Sequence, residues 1–386
     1  MNYSSRFAIM MSLVPALASC AASCAEPAEG VSVSNDEKTI RSDISADEEV
    51  LFYPTSARFD KETEQWMIRI HGIIYEPEYD SRKQSVLLAT IRKALQMEEG
   101  DLKSQFLDQR LRLFLVDNER GQEIFVRIGE GVFEAGTSGP NGHFGNTLSL
   151  AADDVEPLVE ETTGAKWLPF EAVTRSTDER KFSGRVQLVG PTGLSIISDI
   201  DDTIKVSNVR NRKVLFANTF LREFRPVVGM SRLYRRCAEL GMAFHYVSGS
   251  PWQLYLPLAE FIESEGFPEG TFHLKHFRLK DRSGVAMLQS QESYKLAVIE
   301  PILEAYPERK FILIGDSGEQ DPEIYAKVAK KYAGQVAAVF IRNVTEETSD
   351  DPRFGAVRRQ LGDVPFRLFD EPDSLLPIIE EIRREQ

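Results

Sequence analysis

Cysteine, long apolar runs and an excess of basic charge are all scarce in this sequence. There are three cysteines among 386 residues, and Cys24 and Cys237 lie so far apart that we expect no structural disulfide. No apolar run beyond the N-terminus is long enough to span a bilayer. The net charge of −14 argues against general nucleic-acid binding, which needs a basic surface. What remains is the composition of a soluble globular protein, 42% hydrophobic and 27% charged, of two or three domains.

The N-terminus has the pattern of a targeting segment. Met1 to Ala18 contains one basic residue, no acidic residue and an apolar stretch, which predicts a signal peptide over residues 1–19. Leu17-Ala18-Ser19-Cys20 resembles the lipobox of bacterial lipoproteins. That resemblance implies lipidation of Cys20 and, because Ala21 follows, a place in the cell envelope at the outer membrane, facing the periplasm. Ordinary cleavage after Ala25 is the alternative.

Two further regions precede the middle of the chain. Residues 20–49 are rich in Ala, Ser, Glu and Asp without a hydrophobic period, which predicts a flexible tether. Residues 50–190 read as a mainly-β domain, and a small β-sandwich fits their short apolar runs and turn signals. The elements expected there are strands at 66–71, 111–115 and 124–128 and a helix from about Arg82 to Met97. We find no catalytic constellation in this region.

At Leu194 the pattern changes to apolar runs that alternate with helical periods. This alternation predicts an α/β domain over residues 191–386, with a parallel, Rossmann-like sheet covered by helices on both faces. Cys237 falls in one of the apolar helical patterns and is expected in the core.

Polar residues follow three of the predicted parallel strands. They occur in the segments Asp199-Ile200-Asp201-Asp202-Thr203, Ser248-Gly249-Ser250 and Gly315-Asp316-Ser317-Gly318-Glu319-Gln320-Asp321. The carboxyl ends of parallel strands share one edge of the sheet, where ligands bind. Carboxylates crowded there repel and need a cation, and oxygen ligands without Cys or His favour Mg²⁺. A structural Ca²⁺ loop is the alternative, but DIDDTIKVSNV lacks its alternating acids and terminal Glu.

These residues also match a family signature. DIDDT fits the Asp-x-Asp-x-Thr motif of the haloacid dehalogenase superfamily. The chain resembles one branch of it more closely, the phosphatidate phosphatases named for a yeast actin-patch protein, which are related to lipin-type domains. The resemblance lies in SDIDDTIKVSNV, NTFLREFRPVVGM, YVSGSPWQLY, EGFPEGTF and FILIGDSGEQDPEIY.

The resemblance implies a role for each motif residue. Asp199 would attack phosphorus and bind Mg²⁺, and Asp201 would act as acid and base while its carbonyl also binds the metal. Ser248 would bind the phosphoryl group, Lys295 would offset negative charge, and Asp316 would be the acidic metal ligand. Supporting roles would fall to Thr203, Ser250 and Asp321.

The segment after Asp201 is basic within an acidic chain. From Lys205 to Arg236 there are nine basic residues and one acid, with large apolar residues between them. Such a mixture suits an anionic phospholipid or membrane surface, and the candidate contacts are Lys205, Arg210, Phe220, Arg222 and Arg225. An ordinary cap with solvated charges is the alternative.

Three functions follow: a phosphatidate phosphatase, a phosphatase for a soluble phosphomonoester, and a non-catalytic lipid-binding module. The presence of Asp199, Asp201, Lys295 and Asp316 argues against the third. The protein partner of the β-domain stays unknown.

Overall fold

The computed structural model describes residues 40–77, 81–95, 98–276 and 291–385. The predicted signal peptide, Cys20 and most of the predicted tether lie outside these residues. Two β-sheets dominate, one of ten strands and one of six. Within the described ranges, no helix combines the length and the apolar character needed to cross a bilayer.

The N-terminal sheet is a single curled sheet rather than the predicted sandwich of two. Its strands are β1 (Glu49–Phe52), β2 (Thr55–Asp60), β3 (Gln65–Glu76), β4 (Asp117–Asn118), β5 (Glu123–Ile128), β6 (Gly131–Thr137), β7 (His143–Ala151), β8 (Glu160–Thr162), β9 (Ala165–Ala172) and β10 (Ser183–Val189). The order along the sheet is β6-β5-β9-β10-β2-β3-β7, and β10 runs parallel to β2 whereas the other pairs are antiparallel.

The two ends of this order approach each other. The Asn146 side chain on β7 donates to the Glu134 carbonyl on β6 at 2.9 Å. Gly136, at φ +111°, permits the approach, because a Cβ there would lie 2.7 Å from the Gly145 carbonyl oxygen. The apolar faces of the strands therefore meet inside one curled sheet, and a second sheet is not needed to bury them.

Two helices between β3 and β4 form a small cap. They are α1 (Ser81–Leu95), which confirms the predicted helix, and α2 (Gln105–Leu115). The predicted strand at 111–115 is wrong, because this run is the second half of α2. Leu107, Leu111 and Leu115 recur every four residues and are all buried, and the Ser104 hydroxyl caps the helix by accepting from the Phe106 amide at 3.1 Å. A short helix α3 (Ala152–Val155) follows β7.

The end of the predicted tether is part of the fold. The Ser42 amide donates to Val173 and the Asp43 amide to Glu123, both at 2.8 Å, and Ile44 is buried in the core of the curled sheet. The tether assigned to residues 20–49 therefore ends before Ser42.

The second sheet confirms the predicted parallel sheet. Its strands are β11 (Leu194–Asp199), β12 (Ala243–Pro251), β13 (Thr271–Lys275), β14 (Lys310–Asp316), β15 (Val336–Arg342) and β16 (Phe366–Phe369). All neighbours are parallel, in the order β13-β12-β11-β14-β15-β16. The apolar runs are buried on both sides, as in a sheet covered by helices.

Helices cover both faces of this sheet. The short helix α4 (Arg212–Phe216) packs Phe216 against the helical cap. The helices on the sheet are α5 (Met230–Glu239), α6 (Tyr255–Ser264), α7 (Gln291–Ala305), α8 (Asp321–Lys331), α9 (Pro352–Leu361) and α10 (Leu376–Arg384). One core joins α5, α6 and α10 to the sheet, and a second joins α7, α8 and α9 to its other face. Cys237 on α5 is a free, fully buried cysteine, as expected.

Candidate active site

The three polar strand ends meet at the edge of the parallel sheet. Asp199 is the last residue of β11, Asp316 is the last residue of β14, and Ser248 lies near the end of β12. The strand order changes direction at β11, between β12 and β14, and this crevice is where open α/β sheets bind ligands. The predicted convergence of these strand ends is confirmed.

Asp199 is buried and bonded through both carboxylate oxygens. Its Oδ1 lies 2.8 Å from the Lys295 Nζ, and its Oδ2 accepts from the Thr203 hydroxyl at 3.1 Å. Burial raises the pKa of Asp199 well above its usual range, and the Lys295 charge opposes that rise. The long helix α7 delivers Lys295, which is itself fully buried.

An acidic group forms around Asp199. Asp199, Asp316 and Asp321 each offer an oxygen, and these oxygens all lie within 4.8 Å of one another. The Asp321 side chain accepts from Lys295 and, at 3.3 Å, from the Asp316 amide. Gly315 permits this packing, because a Cβ there would lie 2.3 Å from Asp321 Oδ2.

The Asp316 carboxylate leaves one oxygen for a cation. Its Oδ1 accepts from the Gly318 and Glu319 amides at 2.7 and 3.2 Å, whereas its buried Oδ2 has no hydrogen-bond partner within the part of the chain that the structure describes. Burial and the neighbouring carboxylate of Asp321 raise the pKa of Asp316 well above its usual range. Buried oxygens that repel one another in this way fit a hard divalent cation.

Asp201 makes a different set of contacts. Its Oδ1 lies 2.7 Å from the Lys205 Nζ and accepts from the Ser207 hydroxyl at 2.6 Å. Its Oδ2 accepts from the Ser248 and Ser250 hydroxyls at 3.0 and 3.1 Å. Burial alone would raise the pKa of Asp201, but Lys205 and the hydroxyl donors outweigh it and lower that pKa to about 2. The Asp201 side chain is therefore held outside the acidic group. Both of the serines predicted at the end of β12, Ser248 and Ser250, bond to it.

Two of the predicted lipid contacts, Lys205 and Phe220, pack within the fold. Lys205 is 1% exposed and pairs with Asp201, so its charge is not available at the surface. Phe220 stacks on Phe216 at 5.0 Å and contacts Phe114 at 5.9 Å between ring centres, so its ring packs against the helical cap. Segments rich in both charge and aromatic residues do not reveal which side chains turn inward.

The other three predicted contacts are exposed. Arg210, Arg222 and Arg225 lie on the surface, where the Arg222 guanidinium donates to Asn218 Oδ1 at 3.0 Å. Val209 lies 3.4 Å from the position of a Cβ on Gly318, and the Val206 amide donates to the Arg225 carbonyl at 2.9 Å. These contacts keep Arg210 and Arg225 beside the strand ends, and we call Arg210, Arg222 and Arg225 the basic rim.

Sequence reasoning missed three residues of the site. Asp202 has φ +57°, and its carboxylate accepts the amides of Ser207, Asn208 and Val209 at 2.7 to 2.8 Å. Asp tolerates this left-handed conformation better than most residues, so the residue type at position 202 was the one signal in the sequence for a turn there. The sequence contained no such signal for Ser207 and Glu319, because their contacts depend on the tertiary fold. Burial raises the pKa of Glu319 to about 7, against the opposing charge of Lys295.

Comparisons with known proteins agree with this geometry. Residues 194–343 match the family described as "Phosphatidate phosphatase APP1, catalytic domain". Phosphatidate phosphatase APP1 of Saccharomyces cerevisiae is 36% identical over 168 residues, which are 42% of this chain and 28% of that protein. An uncharacterized protein of Schizosaccharomyces pombe is 32% identical over 206 residues, 50% of this chain and 33% of its own length. The matched region thus spans about a third of these relatives.

Among solved structures, a chain of "Structure of Pnkp1/Rnl/Hen1 complex" matches with a TM-score of 0.27 and 12% identity, over 42% of this chain and 54% of that chain. A similarity at that level carries no functional argument. The family match, by contrast, begins at the first residue of β11 and includes every strand end of the site. Residues 194–343 of this chain are therefore similar to the catalytic domains of APP1-type phosphatidate phosphatases.

Proposed function

We propose that this protein is a Mg²⁺-dependent phosphoric monoester hydrolase of the haloacid dehalogenase type, and that phosphatidate is its substrate. The observation that carries the proposal is the buried Lys295–Asp199 pair beside the carboxylates of Asp316 and Asp321. A non-catalytic module would not need a buried nucleophile poised in this way, because burying charges costs free energy.

The chemistry divides into two displacements at phosphorus. An oxygen of Asp199 attacks phosphorus, the bond to the ester oxygen breaks, and the leaving alcohol takes a proton from Asp201. Water then attacks the aspartyl-phosphate, gives its proton to Asp201, and releases inorganic phosphate as the bond to Asp199 breaks. Ser248 and Lys295 would bind the phosphoryl oxygens that gain charge.

Asp201 must change its contacts during this cycle. Four donors around its carboxylate favour the ionised form, which accepts a proton from water in the second step. When Ser248 bonds the phosphoryl group instead, Oδ2 loses a donor, and a carboxylate with fewer donors holds a proton more readily. The proton in the first step would come from that state.

Asp199, Asp316 and the Asp201 carbonyl would hold Mg²⁺, with Asp321 in support. The bound ion would neutralise phosphate charge and orient the phosphoryl group for attack. The orphaned Oδ2 of Asp316 supports this assignment.

The basic rim supports an anionic phospholipid over a soluble ester. All three arginines of the basic rim are exposed, Arg210 and Arg225 beside the strand ends, and an anionic bilayer would attract them. Lipidation at Cys20 and a place in the bacterial envelope, at the outer membrane facing the periplasm, would keep the domain near such a surface. Both remain proposals drawn from the sequence.

The test compares phosphate release from phosphatidate in vesicles with release from soluble phosphomonoesters, with and without Mg²⁺. We expect Mg²⁺-dependent release that favours the vesicles, and none from Asp199→Asn. Faster turnover of a soluble ester would favour a soluble phosphomonoester as substrate. Activity retained in Asp199→Asn would contradict the mechanism, and no release from any ester would favour a non-catalytic lipid-binding module.

The role of the basic rim has a matched control. Arg210→Gln with Arg225→Gln removes two exposed charges, and we expect KM for vesicle phosphatidate to rise about thirtyfold, because each basic residue near an anionic surface contributes about 1 kcal/mol. Arg232→Gln with Arg236→Gln removes the same charge from α5, where both arginines pair with acids. An equal rise of KM in both double variants would show that net charge alone acts.

A further inference from the structure

A second lysine lies in the site, and the chemistry above gives it no role beyond favouring the ionised form of Asp201. Lys205 is 1% exposed, and its Nζ lies 2.7 Å from Asp201 Oδ1 and also bonds the Ser207 hydroxyl. The site thus contains two buried lysine–aspartate pairs, Lys295 with Asp199 and Lys205 with Asp201. Burying an ammonium costs desolvation free energy, and removing one partner of a buried ion pair leaves the other charge uncompensated.

The backbone around Lys205 fixes where its side chain goes. The Lys205 amide donates to Ile200 at 3.0 Å, and its carbonyl accepts from the Asp202 amide at 2.7 Å. Lys205 also forms a β-bridge with Pro226, and its Nζ lies 4.8 Å from the centre of the Phe224 ring. The chain about twenty residues downstream therefore encloses the lysine and directs it to Asp201.

The two oxygens of Asp201 are held by different parts of the fold. Oδ1 is bound by Lys205 and Ser207, which belong to the same loop as Asp201. Oδ2 is bound by Ser248 and Ser250 at the end of β12. If Ser248 turns to a bound phosphoryl group, Oδ2 keeps only the Ser250 hydroxyl as a donor, whereas Oδ1 keeps both of its donors.

We propose, on the basis of the phosphatase function above, that Lys205 is a positioning residue which anchors Oδ1 of Asp201 and leaves Oδ2 as the oxygen that exchanges protons with the leaving group and with water. Lys205 touches neither substrate nor phosphorus. It acts through the orientation of the Asp201 carboxylate, and Ser207 assists it.

The kinetic test uses 4-nitrophenyl phosphate and the full chain. In the first step an Asp199 oxygen bonds phosphorus and 4-nitrophenolate leaves with the electron pair, so this step needs no proton. In the second step water attacks phosphorus, its proton goes to Asp201 Oδ2, and the bond from phosphorus to the Asp199 oxygen breaks to release inorganic phosphate. In Lys205→Met the second step should therefore slow selectively, with kcat about 100-fold lower, within the range of general-base effects.

A burst separates positioning from a general structural defect. Lys205→Met should release about one 4-nitrophenolate per enzyme rapidly and then turn over slowly, because the phosphoryl-enzyme waits for its base. Lys205→Arg keeps the charge and should recover about tenfold of the lost kcat, while Ser207→Ala should lose about tenfold. Lys331→Met, which removes a 53% exposed lysine paired with Glu300, is the control and should match wild type.

A second measurement does not depend on activity. Thermal unfolding of Lys205→Met, Asp201→Asn and the double variant forms a cycle that reports the coupling of the two side chains. Lys205→Met alone leaves a buried carboxylate unpaired and should lower Tm by several degrees. In the Asp201→Asn background the same substitution should cost much less.

The outcomes separate the two proposals. If the Tm changes show coupling between Lys205 and Asp201 but the wild type releases no phosphate, Lys205 anchors Asp201 and the proposed phosphatase function is wrong. Phosphate release by wild type with a Lys205→Met variant that keeps kcat, or loses it without a burst, would overturn the positioning role. Additive Tm changes would overturn the anchor itself.

Discussion

At the scale of single residues, the ammonium of Lys295 offsets much of the negative charge of the site. Its Nζ lies 2.8 Å from Asp199 and 3.7 Å from Glu319 and also bonds Asp321. Burial alone would lower the pKa of Lys295, but these carboxylates outweigh burial and raise it. One ammonium thus offsets a cluster of acids, and the cation implied by Asp316 Oδ2 would offset the rest.

Replacing Lys295 should change stability, activity and the response to Mg²⁺. Lys295→Met leaves buried carboxylates unpaired, so we expect unfolding free energy to fall by about 3 to 5 kcal/mol and phosphate release to be lost. Because the site gains a net negative charge, Mg²⁺ should raise the Tm of the variant more than that of wild type. Thermal unfolding with Mg²⁺ and with EDTA measures both effects, and an equal Mg²⁺ shift in the two proteins would contradict this charge balance.

At the scale of elements, helix α2 connects the curled sheet to the segment that follows Asp201. Arg110 on α2 is buried and donates to the carbonyls of Thr219 and Arg222 at 2.9 and 2.5 Å. Its guanidinium lies 3.8 Å from the centre of the Phe224 ring, the ring that also encloses Lys205. The helical insertion of the first domain therefore supports the segment that follows Asp201.

Loss of this contact should loosen one segment of the second domain. Arg110→Met leaves two carbonyls without their donor, so we expect faster amide exchange over residues 217–225 and a loss of about 2 to 3 kcal/mol of stability. Hydrogen exchange measured by mass spectrometry checks the first effect. Arg112→Met removes an exposed arginine from the same helix and should change neither, and matching exchange in both variants would rule out the role of Arg110.

At the scale of the whole molecule, the histidines gather where the two sheets meet. His71 Nε2 and His143 Nδ1, on the curled sheet, are 3.1 Å apart, and the ring centre of His276 at the end of β13 is 4.6 Å from that of His143. Burial, then the charge of His143, lowers the pKa of His71 well below its usual range. Burial, then His276, lowers the pKa of His143 to about 3.

These shifts predict that acid weakens the contact between the domains. A histidine whose pKa is lower in the folded protein than in the unfolded chain stabilises the fold above pH 6.5 and loses that contribution as the pH falls from 6.5 toward 3. At pH 5 the loss is about 2 kcal/mol for each such histidine. Urea unfolding from pH 7.5 to 5 measures the slope, and His143→Asn, which keeps a polar atom near Nδ1, should reduce it. An unchanged slope would contradict this assignment.

The prediction from sequence succeeded where a local pattern and a general rule suffice. Asp199 and Asp316 were found because buried apolar runs predict parallel strands, and parallel strands bring their carboxyl ends to one edge. It failed at Leu111, where an alternating run of five residues belongs to a helix whose period spans Leu107 to Leu115. The predicted end of the tether was wrong for a similar reason, because Ser42 is held by partners more than eighty residues away.

The sequence by itself determined which residues stand at the strand ends, since the apolar runs that form the sheet also set where each strand stops. Only the tertiary structure decided how the charges pair there. Lys205 follows Asp201 by four residues and would suit a surface equally well, but Phe224 and Pro226 pack over it and turn it inward. The direction of a long side chain depends on what covers it, and segments distant in the chain supply that cover.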